Sequence, residues 1–191
     1  MKRLLATATI LLSLTACNSV TIGGGQSDIY ISSGFNEINS YGIMRSHPHG
    51  GVDIPRSIGT PIIASADGVV ANSGHYHRQT SSCGKEVTLS HPKLAEDKNE
   101  FETRYCHMSD LLLTRGDVVK RGDVIGHVGQ TGNVGSVKHI HFVTRVYSGP
   151  FINTGGPERR QFDPETFVVG CYNPGKIYSK TKTEFTWPVH C

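Results

Sequence analysis

Two short stretches far apart in the chain carry side chains suited to holding a metal ion. One is His49-Gly50-Gly51-Val52-Asp53, a histidine and an aspartate four residues apart; the other is His139-Ile140-His141, two histidines separated by one residue. A third histidine, His107, stands between them in Arg104-Tyr105-Cys106-His107-Met108. A catalytic zinc takes three protein ligands of nitrogen or oxygen type and keeps a fourth position open for water. The chain offers such a set with two histidines to spare. Spare imidazoles beside a metal-bound water point to catalysis, because they can move its protons.

Strand and turn geometry make the grouping feasible. Two glycines between His49 and Asp53 allow a tight bend that brings both onto one ion. Side chains at i and i+2 of a strand share a face, so His139 and His141 project together from a strand continuing through the β-prone run Phe142 to Tyr147. Zinc needs its ligands at about 2.0–2.2 Å, so one of this pair is expected to ligate while the other stands near the water. A His-Asp-His set brings one negative charge to an ion with two positive charges, and the excess acidifies the bound water. No HExxH sequence occurs, so the base falls to unligated histidines rather than to a glutamate. One imidazole can take the water's proton while the other, protonated, supports the oxyanion or protonates the leaving amine.

These residues resemble a family. His49-Gly50-Gly51-Val52-Asp53-Ile54, Tyr105-Cys106-His107-Met108 and His139-Ile140-His141-Phe142 match the three motifs of the lysostaphin/LytM-type zinc endopeptidases, which cut peptide cross-links of bacterial peptidoglycan. Two glycine-rich stretches match as well, Gly59 to Val70 and Gly116 to Gly132, and the likeness runs over roughly Ser32 to Val168. Carried over by position, it implies that His49, Asp53 and His141 bind one Zn2+ and that His107 and His139 are the metal-free catalytic histidines. It implies a single small sandwich-barrel domain of the duplicated-hybrid kind, acting on peptidoglycan stem peptides or cross-bridges. Two positions depart from the family pattern. The segment before the first motif reads Ser33-Gly34-Phe35-Asn36-Glu37 in place of a Gly-Phe-Gly-x-Arg type, and Lys138 precedes the HxH pair where proline is common.

The amino-terminal end suggests export. Lys2 and Arg3 precede an apolar stretch from Leu4 to Leu14, 11 residues, against the roughly 20 a membrane-spanning helix needs. It ends in Leu14-Thr15-Ala16-Cys17, which resembles a bacterial lipobox. Residues 1–16 are therefore read as a signal peptide and residues 17–30 as a lipidated Cys17 and flexible tether containing Gly23-Gly24-Gly25. The expectation is an exported protein held on the membrane by the lipid on Cys17. Asn18 follows rather than aspartate, so the outer membrane, facing the periplasm, is the expected site if the cell is Gram-negative. The net charge is +3 over 191 residues, and removing Lys2 and Arg3 leaves 17 basic against 16 acidic residues. Such a balance speaks against nucleic-acid binding.

The rest of the chain reads as all-β. Short runs such as Ile62-Ile63-Ala64, Gly68-Val69-Val70, Glu86-Val87-Thr88-Leu89 and Val124-Ile125-Gly126 are punctuated by Gly, Asn and Pro, and no long stretch has the 3.6 period of an amphipathic helix. A catalytic domain over residues 31–170 and a tail over residues 171–191 follow. With Cys17 lipidated, four of the five cysteines remain, enough for two disulfides in an exported chain, with three connectivities open. Lys85 to His91 and Phe101 to His107 read as a hairpin that brings Cys83 near Cys106, leaving Cys171 to pair with Cys191 and closing the tail onto the domain. His47, His75, His77, His91, His127 and His190 are read as rim, loop, strand-end or surface residues. Two other classes of function compete: a non-catalytic LytM-like module regulating other wall hydrolases, and a metal-binding lipoprotein without hydrolysis. Neither needs all five positions filled. An unidentified regulatory protein is left open as a partner.

Overall fold

Why the five residues of interest can meet is set by one long strand at the centre of an antiparallel sheet. A computed structural model describes residues 29–40, 43–75, 83–148 and 158–191; the signal segment, Cys17, most of the tether and His77 lie outside them. The strands are β1 (Asn39–Ser40), β2 (Ile43–Met44), β3 (Val52–Pro55), β4 (Pro61–Ile63), β5 (Gly68–His75), β6 (Lys85–Ser90), β7 (Glu100–Cys106), β8 (Val118–Val119), β9 (Val124–His127), β10 (His139–Ser148) and β11 (Glu158–Phe162). A 3-10 turn, Pro164–Thr166, is the one helical element among the described residues. Seven strands form the main sheet in the order β11-β10-β7-β6-β5-β8, with β3 also paired to β10. β1-β2 and β4-β9 form two small ribbons. The all-β expectation is met.

β10 is shared along its length. One of its sides pairs with β7 from His141 to Tyr147; the other pairs first with β3, over His139 to Phe142, and then with β11, over Thr144 to Ser148. Its alternation separates two environments. Ile140 and Phe142 are fully buried in the main apolar cluster with Val52 and Ile54 of β3, while His139 and His141 alternate with them on the opposite face. The apolar residues supply the burial that holds both strands in place, at roughly 1.5–3 kcal/mol for each large side chain taken out of water.

The expected hairpin is present as β6 and β7, and Cys83–Cys106 and Cys171–Cys191 are both joined. The residues read as a tail do more than trail. Phe185, Trp187 and Val189 are buried in the core. Main-chain bonds tie them in, from Ile63 N–H to the Pro188 carbonyl (2.8 Å) and from Thr186 N–H to the Ser65 carbonyl (2.9 Å). Their period-2 spacing was available in the sequence, but three residues are too few to distinguish a strand from a loop lying over a core. His75 closes β5 rather than lying in a loop.

His91 follows the end of β6, as expected of a strand-end residue, and lies buried at the end of a continuous chain of hydrogen bonds. Ser65 N–H donates to the Tyr105 hydroxyl (2.9 Å), which lies 2.9 Å from Thr103 Oγ1; Thr103 Oγ1 in turn meets His91 Nε2 at 2.8 Å. His91 Nδ1 donates to the Asp67 carbonyl (2.8 Å). Every partner is satisfied only while Nε2 carries no proton. Burial accordingly pushes the His91 imidazole down to about 4, against the pull of the Asp67 carbonyl.

A stability prediction follows from that shift. The unfolded chain takes up a proton on His91 near its ordinary value of about 6.5, while the folded chain resists until about 4. His91 therefore favours the unfolded state progressively as pH falls from about 6.5 to about 4, by up to about 3 kcal/mol. Urea unfolding at pH 7 and pH 4.5 should show His91→Gln losing about 2–3 kcal/mol less stability between the two pH values than the parent loses. Equal losses in both proteins would refute the role given to His91.

Candidate active site

The pairing of β3 with β10 sets His141 directly across from Asp53 and His139 across from Pro55. His49 lies three residues before β3 and folds back over the same spot. His141 Nδ1 is 2.8 Å from Asp53 Oδ1 and 2.9 Å from His49 Nε2, and His49 Nε2 is 3.1 Å from Asp53 Oδ1. Gly50 and Gly51 make this approach feasible through lack of bulk rather than through a left-handed turn. A methyl on Gly51 would strike the Phe142 carbonyl and press on the His141 ring, and one on Gly50 would strike the Gln161 side chain.

Protons are in short supply within this triangle. His49 Nδ1 donates to the Gly34 carbonyl (2.9 Å), so its Nε2 presents a lone pair. Asp53 Oδ1 presents another, and His141 Nδ1 can hold at most one proton between them. Burial raises the Asp53 carboxyl, but the hydrogen bond from His141, the close contact with His49 and the charge of the surrounding histidines outweigh it, holding the acid well below the usual carboxylate range. Burial pushes the His141 imidazole down, against the attraction of Asp53. Two nitrogens and one anionic oxygen converging with too few protons suit a divalent cation of borderline softness such as zinc. A second cluster, Cys83, Glu86 and Cys106, does not. Its cysteines are joined in a disulfide and Glu86 is paired with Arg104.

The other two histidines stand against this set. His139 Nε2 is 3.4 Å from Asp53 Oδ1, and the His107 and His139 rings meet edge to face with centroids 4.8 Å apart. Each gives its Nδ1 proton to a main-chain carbonyl, His107 to Thr131 and His139 to Val137, both at 2.8 Å. Nε2 is thereby left on each ring to accept a proton. Burial pushes His107 down to about 4, opposed by the Thr131 carbonyl, so it is neutral at pH 7.

His107 is not part of the strand from which alternation would place it. β7 ends at Cys106, and His107 turns off in the left-handed region, φ 63°, an unusual conformation for a residue with a side chain. Its N–H donates to the Cys83 carbonyl (2.8 Å), and its carbonyl accepts from Gly129 N–H (2.9 Å). Thr131, whose carbonyl holds the ring, is itself fixed through Oγ1, which accepts from Lys85 N–H and donates to the Met108 carbonyl, both at 2.9 Å.

All five residues singled out from the sequence lie together, and the structure adds others that motif spacing does not reveal. Arg45 Nη2 lies 3.1 Å from Asp53 Oδ2 and 3.1 Å from Ser33 Oγ. It grips the carboxylate oxygen that faces away from the histidines. Ser33 Oγ reaches His49 Nδ1 (3.2 Å) and Glu37 Oε2 (2.9 Å). The segment that departs from the family pattern thus supports two of the three converging residues, and Arg45 arrives from just beyond the β1-β2 ribbon. His47 is exposed at the rim, and His127 is half-buried, bonded to Asp110 (2.8 Å).

A sheet face bearing this donor set, with two further imidazoles beside it, has the layout of a metal-dependent hydrolase. The chain belongs to peptidase family M23, whose sequence pattern matches residues 47–154, a stretch holding all five histidine and aspartate positions. An uncharacterized metalloprotease of Haemophilus influenzae is 37% identical over 92 residues, 48% of this chain and 18% of that protein. The peptidoglycan DD-endopeptidase ShyA of Vibrio cholerae is 36% identical over 92 residues, 48% of this chain and 19% of that protein. The match spans under a fifth of the length of either relative. The catalytic domain of lysostaphin from Staphylococcus simulans superposes with a TM-score of 0.54 at 28% identity, over 73% of this chain and 91% of that domain.

Gly84 tests how firmly the His107 support is braced. It sits at φ 67°, and a side chain there would run into the Thr131–Gly132 main chain. Gly84→Ala should destabilise the protein by about 2 kcal/mol or more, since the left-handed conformation alone costs roughly 1–2 kcal/mol. It should also shift the His107 imidazole resonances in an NMR spectrum. Parent-like unfolding with unmoved His107 signals would show that this contact does not brace the loop.

Proposed function

We propose that the chain is a zinc-dependent endopeptidase that hydrolyses peptide cross-links of bacterial peptidoglycan. The observation that carries this reading is the convergence of His49 Nε2, Asp53 Oδ1 and His141 Nδ1 within about 3 Å of one another beside the His107–His139 pair. His49, Asp53 and His141 would hold one zinc ion. When bound, the ion supplies an acidified water and polarises the scissile carbonyl. His107 and His139 share the proton work: an imidazole kept neutral by burial and bearing a free Nε2 accepts the water's proton, and its neighbour supports the developing oxyanion or protonates the leaving amine. Arg45, bonded to Asp53 Oδ2, holds the carboxylate with Oδ1 turned toward the histidines. The peptidoglycan substrate rests on the relatives, one of them named as a DD-endopeptidase of that polymer. A non-catalytic module would need neither His107 nor His139 held by its own dedicated carbonyl.

Zinc content and hydrolysis of a cross-linked muropeptide, measured on the same preparations, test the division of labour. The parent should bind one zinc per chain, and His141→Ala should lose it. His107→Ala should keep its zinc and lose roughly 10²–10⁴-fold in turnover, the usual size of general acid–base help. A His107→Ala protein with parent-like turnover would sink the assignment, as would a His141→Ala protein with full zinc.

The amino-terminal reading stands as a further part of this proposal. Residues 1–16 act as the signal, Cys17 takes the lipid, and residues 17–30 tether a catalytic domain spanning residues 31–170 to the membrane. The support is the Leu-Thr-Ala-Cys sequence directly after the short apolar stretch. Cells grown with labelled palmitate should label the parent and leave Cys17→Ser unlabelled; label on the Cys17→Ser protein would refute lipid attachment there.

A further inference from the structure

The Cys83–Cys106 bridge lies at the point where His107 leaves its strand. Cys106 is the last residue of β7 and stands directly across from His141 on β10, so its side chain shares the histidine face of the sheet. It is also the residue before His107. Both cysteines are buried, and their Cα atoms are 4.9 Å apart.

The β6–β7 ladder has ended by this point. Its last paired residues toward the site are Val87 and Tyr105. Beyond them the bridge is joined by bonds from His107 N–H to the Cys83 carbonyl (2.8 Å) and from Met108 N–H to the Lys85 carbonyl (3.1 Å). The Lys85 ammonium adds a bond to the Ser109 carbonyl (2.6 Å). Of these contacts, the bridge and the Cys83 carbonyl grip the peptide on the amino-terminal side of His107.

The left-handed turn at His107 is what directs its ring. Tyr105, two residues earlier, points into the core and is fully buried. An extended His107 would follow it to that face, away from Asp53 and His141. At φ 63° the chain turns instead, and the ring centroid stands 4.8 Å from that of His139 and 6.1 Å from that of His141. Cβ crowds the main chain in this conformation, so something must oppose a return to the extended form. The facing segment makes a matching turn at Gly84, φ 67°. A covalent tie between Cys83 and Cys106 clamps the two turns against each other. The other three residues are set differently: His49, Asp53 and His141 follow the β3–β10 register, which the buried Ile140 and Phe142 enforce without the bridge.

We propose that the Cys83–Cys106 disulfide is a positioning element for His107, so that turnover depends on oxidation of this pair while zinc binding does not. The inference rests on the reading of His107 as a proton-transferring residue of a peptidase. Closing the bond takes two electrons and two protons from the thiols and passes them to a small-molecule disulfide, which leaves as two thiols. The chain is thereby fully active only where such an oxidant is present.

Two double variants test this, Cys83→Ala/Cys106→Ala and Cys171→Ala/Cys191→Ala. The bridges span sequence separations of 23 and 20 residues, so losing either one relaxes the unfolded chain by nearly the same amount. Cys171–Cys191 lies in the tail beside Tyr172, which packs on Gly122. Zinc content, muropeptide kinetics and imidazole NMR are measured where circular dichroism shows each protein folded. Cys83→Ala/Cys106→Ala should keep its zinc and a near-parent KM, and its His107 resonances should shift. Its kcat should fall about 10²-fold, the usual effect of misplacing a catalytic group by about 1 Å. Cys171→Ala/Cys191→Ala should keep the parent's kcat and His107 resonances. Refolding this second variant from urea with zinc and a phosphine reductant should reproduce the kcat loss, and glutathione disulfide should reverse it.

Equal kcat losses in the two double variants would overturn the proposal. So would a parent-like kcat without the Cys83–Cys106 bond, or loss of zinc from the variant that lacks it. Failure of both that variant and the reduced chain to fold would overturn it as well, since the bridge would then hold the whole fold. If the parent cleaves no muropeptide, the peptidase reading fails, while the His107 resonances still decide whether the bridge positions that ring.

Discussion

The register between β3 and β10 is the constraint on which the rest depends. His141 stands opposite Asp53 because Val52, Ile54, Ile140 and Phe142 all point into the core and are fully buried there. A slip of one residue would turn His139 and His141 into the apolar interior and push Ile140 and Phe142 out onto the site face. Both consequences are prohibitive: histidines would be buried without partners, and two large apolar side chains would return to water. The geometry of the polar cluster is thus enforced by hydrophobic burial on the opposite face of the same two strands. The polar residues themselves need only be of the right type at alternate positions.

Around this frame, loops tune the histidines through main-chain carbonyls. Gly34, Thr131 and Val137 each accept an Nδ1 proton, from His49, His107 and His139 respectively. One kind of contact therefore settles three tautomers, because a ring that gives its Nδ1 proton away carries none on Nε2. Burial adds the second setting. The low-polarity surroundings disfavour a charged imidazole at His107, while Asp53, gripped by Arg45 and the histidines, keeps its negative charge. Both groups are thereby held without their protons in one cluster, Asp53 as an anion able to ligate a cation and His107 as a neutral imidazole able to accept a proton.

The opposite end of the sheet follows the same logic with different chemistry. Residues 185–189 close the core with Phe185, Trp187 and Val189. The segment before them, held by Arg121 and the Cys171–Cys191 bridge, walls a cavity of about 440 Å³ that Asp67 and His91 also line. His91 beneath it is neutral for the reason His107 is neutral, burial, yet its two nitrogens are fully occupied by Asp67 and Thr103. Of two buried, neutral histidines, only the one with an uncommitted nitrogen beside other titratable groups is a candidate for chemistry.

Features carried by side-chain type and short-range spacing were legible in the sequence alone. The alternation of β10, the His-Gly-Gly-Val-Asp bend, the β6-β7 hairpin and the nearness of Cys83 to Cys106 all follow from periodicities of two and from turn residues within a few positions. Only the tertiary structure decided the remainder. Arg45 and Ser33 have no motif of their own; they matter because an irregular segment lays them beside Asp53 and His49. The carbonyls of Gly34, Thr131 and Val137 are main-chain groups that every residue possesses, so no sequence signature marks them. His91 and His107 are the same residue type in similar local surroundings, and their proton affinities and free nitrogens differ from those of an exposed histidine only through what the fold packs around them. Desolvation and hydrogen bonding act through contacts far apart in the chain, and those contacts exist only once the chain has folded.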